Sequence, residues 1–243
     1  MSHPSPDPRE VPLEGSLNFR DLGGLETRSG TRIRSRRIFR SDALHRITER
    51  DLATLAGFGI TTLIDLRGRD ESERTGPSPL LGHGTRVAQV ALLDPVTQTT
   101  APDFTIALDI DYARMLNHAQ AGFSRAFVAL AEETNLPAVI HCASGKDRTG
   151  VTVALLLRVL DVPDEAIVRD YAITDRNMAR ILARDPVNAE RFPEHWHRAA
   201  SETMFRFLAA LDAQYGSAVD YLTNAGVPAS QLATIRHRLL DTA

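Results

Sequence analysis

The stretch His141-Cys142-Ala143-Ser144-Gly145-Lys146-Asp147-Arg148-Thr149-Gly150 gathers a thiol, two cations and a carboxylate into ten residues. Before it, Leu136 to His141 reads as a buried strand. After it, Thr149 to Leu160 reads as a helix apolar on all sides, which belongs in a core. A loop feeding a helix N-terminus offers unpaired backbone N–H groups and the positive end of the helix dipole. It therefore binds anions, phosphate first among them. The same groups favour thiolate over thiol at Cys142, and thiolate is the nucleophilic form. Arg148 can fold back across the loop, where its planar guanidinium matches two phosphoryl oxygens. Lys146 adds a second charge, Gly145 lets the backbone approach a ligand, and Thr149 can hydrogen-bond the thiolate or its neighbours. A lone buried cysteine is ordinarily a small hydrophobe; the surrounding loop is what marks Cys142. The set asks for a phosphate ester.

The rest of the chain supplies elements to position this loop. Residues 1–15, rich in proline, serine and charge, read as a flexible tail, and 16–243 as one domain. Asn18 to Gly24 is a compact polar turn, with Arg20 and Asp21 bracing it. Basic and β-branched residues alternate from Arg28 to Arg40 around Ser29-Gly30, suggesting a hairpin with Ile33 and Ile38 facing inward. Thr48 with Asp51 resembles a capping box, followed by Leu52, Leu55 and Phe58 at helical spacing. Ile60 to Leu66 reads as a buried strand ending on Asp65-Leu66-Arg67, and Arg86 to Leu93 as another strand. Asp94 to Asp103 is a loop. Phe104 to Glu133 is helical in pattern, with a bend expected at Gly122, and forms either a lid over the site or a cover for the core. Helices follow at about 164–174, 176–184, 201–214 and 228–241. Strands alternating with helices, then helices alone, predict an α/β fold with a central sheet flanked by helices and a helical C-terminal half.

Composition excludes several functions. Of 243 residues (26.7 kDa), 28 are basic and 31 acidic, so the net charge of −3 argues against nucleic-acid binding by bulk charge. Lys146 is the one lysine and Cys142 the one cysteine, which excludes intrachain disulfides and multi-cysteine metal sites. His195-Trp196-His197 lacks a third ligand, and no metal is expected. No apolar stretch approaches the ~20 residues that span a bilayer, so no integral membrane contact is expected. Met1 to Pro12 carries four prolines and no apolar run; the expected location is cytoplasmic, or exported without a recognisable signal peptide.

The Cys-x5-Arg loop, preceded by His and followed by Thr-Gly, resembles that of the cysteine-dependent protein tyrosine phosphatases. Its Gly-Lys-Asp-Arg-Thr-Gly form is similar to bacterial members related to a secreted mycobacterial tyrosine and dual-specificity phosphatase. Asn18 to Gly24, Arg40-Ser41-Asp42-Ala43-Leu44 and Asp65-Leu66-Arg67 agree, in that order, from about residue 15 to the end. The resemblance implies a phosphatase-like central sheet and phosphomonoester hydrolysis through a phosphocysteine intermediate, with no cofactor. Cys142 is then the nucleophile and Arg148 the phosphate clamp, while Ala143, Ser144, Gly145, Lys146 and Thr149 bind phosphate. The general acid falls on Asp147, with Asp94 of Asp94-Pro95 as the alternative, because the Trp-Pro-Asp pattern of eukaryotic relatives is absent. Ser144 departs from the family's alanine, which implies altered tuning.

His141 is expected to tune the thiolate. Asp65 and Arg67 either pair at a strand end or meet the substrate or the loop. The arginines from Arg28 to Arg40 read as a solvated surface, or as a face for anionic lipid headgroups or an acidic partner. The expected partner is a phosphorylated protein or a phospholipid headgroup. Lys146 beside the nucleophile motivates the alternative of a phosphoinositide or inositol phosphate phosphatase. A phosphate-binding pseudophosphatase and a sulfurtransferase are further alternatives.

Overall fold

Short runs of aliphatic residues build a five-stranded sheet in the computed structural model, which describes residues 7–93 and 105–241. The strands are β1 (Arg20–Asp21), β2 (Ile38–Ser41), β3 (Thr62–Asp65), β4 (Arg86–Gln89) and β5 (Ala138–His141). Their spatial order is β1-β2-β5-β3-β4, with only the β1–β2 pair antiparallel. β2, β3 and β5 are buried throughout, as parallel strands covered on both faces must be.

Side chains alternate between those faces. Ile38, Ile64 and Ile140 enter the larger core, whereas Phe39, Leu63 and Val139 enter the smaller one. The smaller core is closed by Leu52 and Leu55 of α1 (Glu49–Ala56), which opens on the capping box of Thr48 and Asp51. The larger core is built around α5 (Asp147–Val159), whose Leu155, Leu156 and Leu157 have no exposed surface. β5 is the middle strand, so the residue after His141 leaves the sheet at its centre, on the carboxyl edge where open α/β sheets bind ligands.

Several elements differ from the sequence reading. The hairpin turns at Ser29-Gly30 but pairs Glu26 with Arg32; Ile33 and Ile38 are both buried, and Ile38 pairs with β5. The helical region 105–133 is two helices, α3 (Leu108–His118) and α4 (Gln120–Ala131), meeting at Ala119. Gly122 is no bend. It lies inside α4, where a Cβ would come within 2.4 Å of the Leu92 carbonyl oxygen. Helices α2 (Arg69–Thr75), α8 (Pro186–Arg191) and α10 (Ala218–Asn224) are too short for a periodic signal, and the sequence reading lacks them. The longer C-terminal helices form as expected: α6 (Asp164–Ile173), α7 (Asp175–Arg184), α9 (Ser201–Tyr215) and α11 (Ala229–Leu239). Within the N-terminal segment, Val11 N–H donates to Phe19 and Arg9 reaches α6.

Gly122→Ala should force α4 away from Leu92 and lower stability by about 1–3 kcal/mol. Denaturant unfolding tests this; an unchanged midpoint would show that the close approach is not required.

Candidate active site

Cys142 follows β5 directly and is 1 % exposed. The loop from Cys142 to Lys146 then runs into α5, whose first helical bond is Gly150 N–H to the Lys146 carbonyl, 2.8 Å. Three consecutive loop carbonyls are held from behind. Ala43 N–H donates to Ala143 O at 2.9 Å. Asn18 Nδ2 donates to Ser144 O at 3.3 Å and to Gly145 O at 3.2 Å, and Arg40 Nη2 donates to Gly145 O at 2.8 Å. A trans peptide points its N–H opposite to its carbonyl. The amides of Ser144, Gly145 and Lys146 therefore face away from this scaffold, as an anion cradle requires. Gly145 has φ +68°, and a Cβ there would lie 2.5 Å from Ser41 O, so only glycine lets the loop sit this close to β2. The Ser144 hydroxyl accepts a long bond, 3.4 Å, from Lys146 N–H, which turns it toward the loop's own amides.

The scaffold is charged and dry. Asp170 of α6 accepts from Arg40 Nη1 at 2.7 Å, Arg20 Nε at 3.1 Å and Arg9 Nη1 at 3.0 Å. Arg20 also donates to Asn18 Oδ1 at 2.6 Å, so both side chains that grip the loop are themselves gripped. Burial alone would raise the Asp170 carboxyl; Arg20, Arg40 and Arg9 overcome it and hold the group far below the usual range. Arg40, expected on a solvated surface, is buried in this network, and Arg20 braces far more than its own turn. Asp42 completes the backing by accepting from the Ser16 hydroxyl and the Leu17 and Asn18 amides.

At the start of α5, Arg148 lies end-on against Glu71 of α2, with Nη1 to Oε2 at 2.6 Å and Nη2 to Oε1 at 2.8 Å. Burial works against the guanidinium charge, but Glu71 more than restores it and raises Arg148 above its ordinary value. Glu71 has no counterpart in the sequence reading; the only signal is its place six residues after Asp65. Asp147 Oδ1 accepts from the Tyr112 hydroxyl at 2.7 Å and lies 3.2 Å from Lys146 Nζ. That Nζ is buried and also donates to the Trp196 carbonyl. Thr149 Oγ1 is buried and lacks a hydrogen-bond partner among the described residues.

Asp65 faces Arg67 (Oδ2 to Nη2, 2.6 Å) and the Ser72 hydroxyl, so the strand-end pairing is the arrangement present. His141 Nδ1 lies 3.3 Å from Cys142 O, and its Nε2 is 4.0 Å from Asp65. Burial lowers His141 below its ordinary value despite Asp65, leaving a neutral ring near pH 7. Asp94 and the Asp94–Asp103 loop lie outside the described residues. Among the described residues, no three His, Cys, Asp or Glu side chains gather as a metal site, and no helix is long and apolar enough to cross a membrane.

An anion cradle at a central strand's end, with a cysteine before it and an arginine after it, is the equipment of a cysteine-based phosphatase. Residues 11–241 match the sequence profile of the tyrosine phosphatase family, and the chain belongs to that family. It is an enzyme of the protein-tyrosine-phosphatase class. A tyrosine-protein phosphatase of Nostoc commune is 30% identical over 221 residues, covering 82% of this chain and 73% of that one. The triple specificity protein phosphatase PtpB of Mycobacterium tuberculosis is 29% identical, covering 96% and 99%. The solved Siw14 catalytic core is 16% identical with a TM-score of 0.42, covering 76% and 90%.

A carboxylate whose folded pKa is depressed stabilises the fold above its unfolded value, here 3.8, and that contribution is lost as pH falls further. Asp170→Asn should cost about 3–5 kcal/mol at pH 7 by leaving buried guanidiniums unpaired, and should flatten the stability profile below pH ~4. A variant as acid-sensitive as the native protein would contradict this. Glu71→Gln should lower kcat/KM by about tenfold without unfolding the chain, by loosening the orientation of Arg148. Equal kcat/KM values would remove Glu71 from the site.

Proposed function

We propose that the chain hydrolyses phosphomonoesters on proteins, phosphotyrosine foremost, by a two-step phosphocysteine mechanism within a single domain. In the first step Cys142 Sγ attacks phosphorus in line, forming the S–P bond as the ester P–O bond breaks. Arg148 and the amides of residues 143–149 hold the equatorial oxygens, whose charge grows in the transition state. Asp147 gives its proton to the departing oxygen. In the second step water attacks phosphorus, Asp147 takes the water's proton, and the S–P bond breaks to return thiolate and release inorganic phosphate. His141, next to the nucleophile in the chain, and Thr149, in the first turn of α5, support it, and Asp65 pairs with Arg67 and lies 4.0 Å from His141 Nε2.

The observation that carries this reading is the pinning of three successive carbonyls behind the loop, which leaves three successive amides on the side of the cradle. The named activities of the Nostoc and Mycobacterium relatives support it. The phosphoinositide alternative drew on Lys146 as a second phosphate-binding charge. That charge is buried against the Trp196 carbonyl and Asp147, an arrangement that favours a single phosphoryl group.

Hydrolysis of a phosphotyrosyl peptide and of a phosphoinositide by native protein and Cys142→Ser tests both parts. We expect the peptide to be the better substrate and Cys142→Ser to lose at least about 10³-fold in kcat. A preference for the phosphoinositide would overturn the substrate assignment, and undiminished turnover by Cys142→Ser would overturn the mechanism.

A further inference from the structure

Tyr112 of α3 and Tyr171 of α6 are fully buried polar side chains that meet at the edge of the site. Their hydroxyl oxygens are 2.8 Å apart, and the Tyr112 hydroxyl donates to Asp147 Oδ1 at 2.7 Å. Because the Tyr112 proton goes to Asp147, the proton between the two tyrosines comes from Tyr171. The donors thus run one way: Tyr171 to Tyr112 to Asp147. Such a chain polarises each successive bond and strengthens it.

The rings are locked in place. Tyr112 meets Tyr171 edge-on at 6.2 Å between ring centres, and Phe207 edge-on at 6.1 Å. Tyr171 in turn lies over Gly150, where a Cβ would come within 3.0 Å of the ring. The glycine that closes the loop motif therefore has a packing role: it admits the tyrosine that backs the chain.

Oδ1 of Asp147 is doubly engaged, by Tyr112 and by Lys146 Nζ at 3.2 Å. Among the described residues no hydrogen bond reaches Oδ2. We propose that Tyr112, backed by Tyr171, is the positioning residue of the general acid, holding Oδ1 so that the transferable proton resides on Oδ2. This rests on Asp147 being the acid. As the ester P–O bond breaks, the Oδ2 proton passes to the departing oxygen. The carboxylate left behind keeps the Tyr112 and Lys146 contacts on Oδ1. When water attacks the phosphocysteine, its proton returns to Oδ2, and Tyr112 keeps its own proton throughout. Burial, with the Asp147 charge beside it, raises Tyr112 well above the ordinary phenol range, consistent with a permanent donor.

The test compares kcat and KM for phenyl phosphate, a poor leaving group, with those for p-nitrophenyl phosphate, a good one. Native protein, Tyr112→Phe, Tyr171→Phe and Asp147→Asn are measured. For Tyr112→Phe we expect kcat on phenyl phosphate to fall about tenfold with KM unchanged, and kcat on p-nitrophenyl phosphate to fall no more than about twofold. Tyr171→Phe should show the same pattern at about threefold, and it decides the matter if Tyr112→Phe does not fold. A loss equal on both substrates, a rise in KM alone, or no change would overturn the proposal. Asp147→Asn separates the two levels. If it shows no leaving-group dependence, the assignment of the acid fails. If it does show it and the tyrosine variants do not, only the positioning role fails.

Discussion

Where the carbonyls of Ala143, Ser144 and Gly145 point decides what this loop can bind. Left to water, a five-residue connection between β5 and α5 would turn carbonyls and amides alike toward the mouth, and the carbonyls would repel an anion. Here three donors from outside the loop (the Ala43 amide, the Asn18 amide group and the Arg40 guanidinium) draw the carbonyls to one side. The amides are thereby committed to the other. Pre-orientation of this kind costs nothing at the moment a phosphoryl group arrives, which is the usual source of oxyanion stabilisation.

That arrangement requires a buried cation beside a backbone carbonyl, and a buried cation needs a counter-charge. Asp170 supplies it for Arg40 and Arg20 together, and Arg9 covers the pair from the N-terminal segment. Two carboxylates, Asp170 and the Asp7 that also pairs with Arg9, among three guanidiniums leave the cluster net positive, immediately behind a site suited to a dianion. A smaller version operates at the mouth, where Glu71 fixes Arg148 and Tyr112 fixes Asp147. In each case a group proposed to meet the substrate is held by one that is not.

Much of this was legible in the chain, and the division has a physical cause. β5, the loop and α5 are contiguous, and their chemistry is local: an apolar run, a polar turn with glycine, then an apolar helix. The same holds for the capping box of Thr48 and Asp51, whose partners are three residues apart. Arg40 and Asp170 are 130 residues apart, and Arg148 and Glu71 are 77 apart. No periodicity links such pairs, and an arginine in a basic, alternating stretch looks like any surface arginine until the sheet buries it. Gly122 suggests a bend in the sequence because glycine weakens a helix, whereas its missing side chain admits Leu92. Asp65 and Arg67 were open to two readings because adjacency alone does not say whether a pair faces a ligand or itself.

The claim on which the account depends is that Cys142 receives the phosphoryl group inside this cradle. Acid quenching of native protein during turnover of a phosphotyrosyl peptide, followed by mass spectrometry of its fragments, tests it directly. The account predicts one phosphoryl group on the fragment containing Cys142, absent when substrate is omitted. Turnover with the phosphoryl group on another side chain, or with no covalent intermediate under conditions where the first step outruns the second, would contradict it.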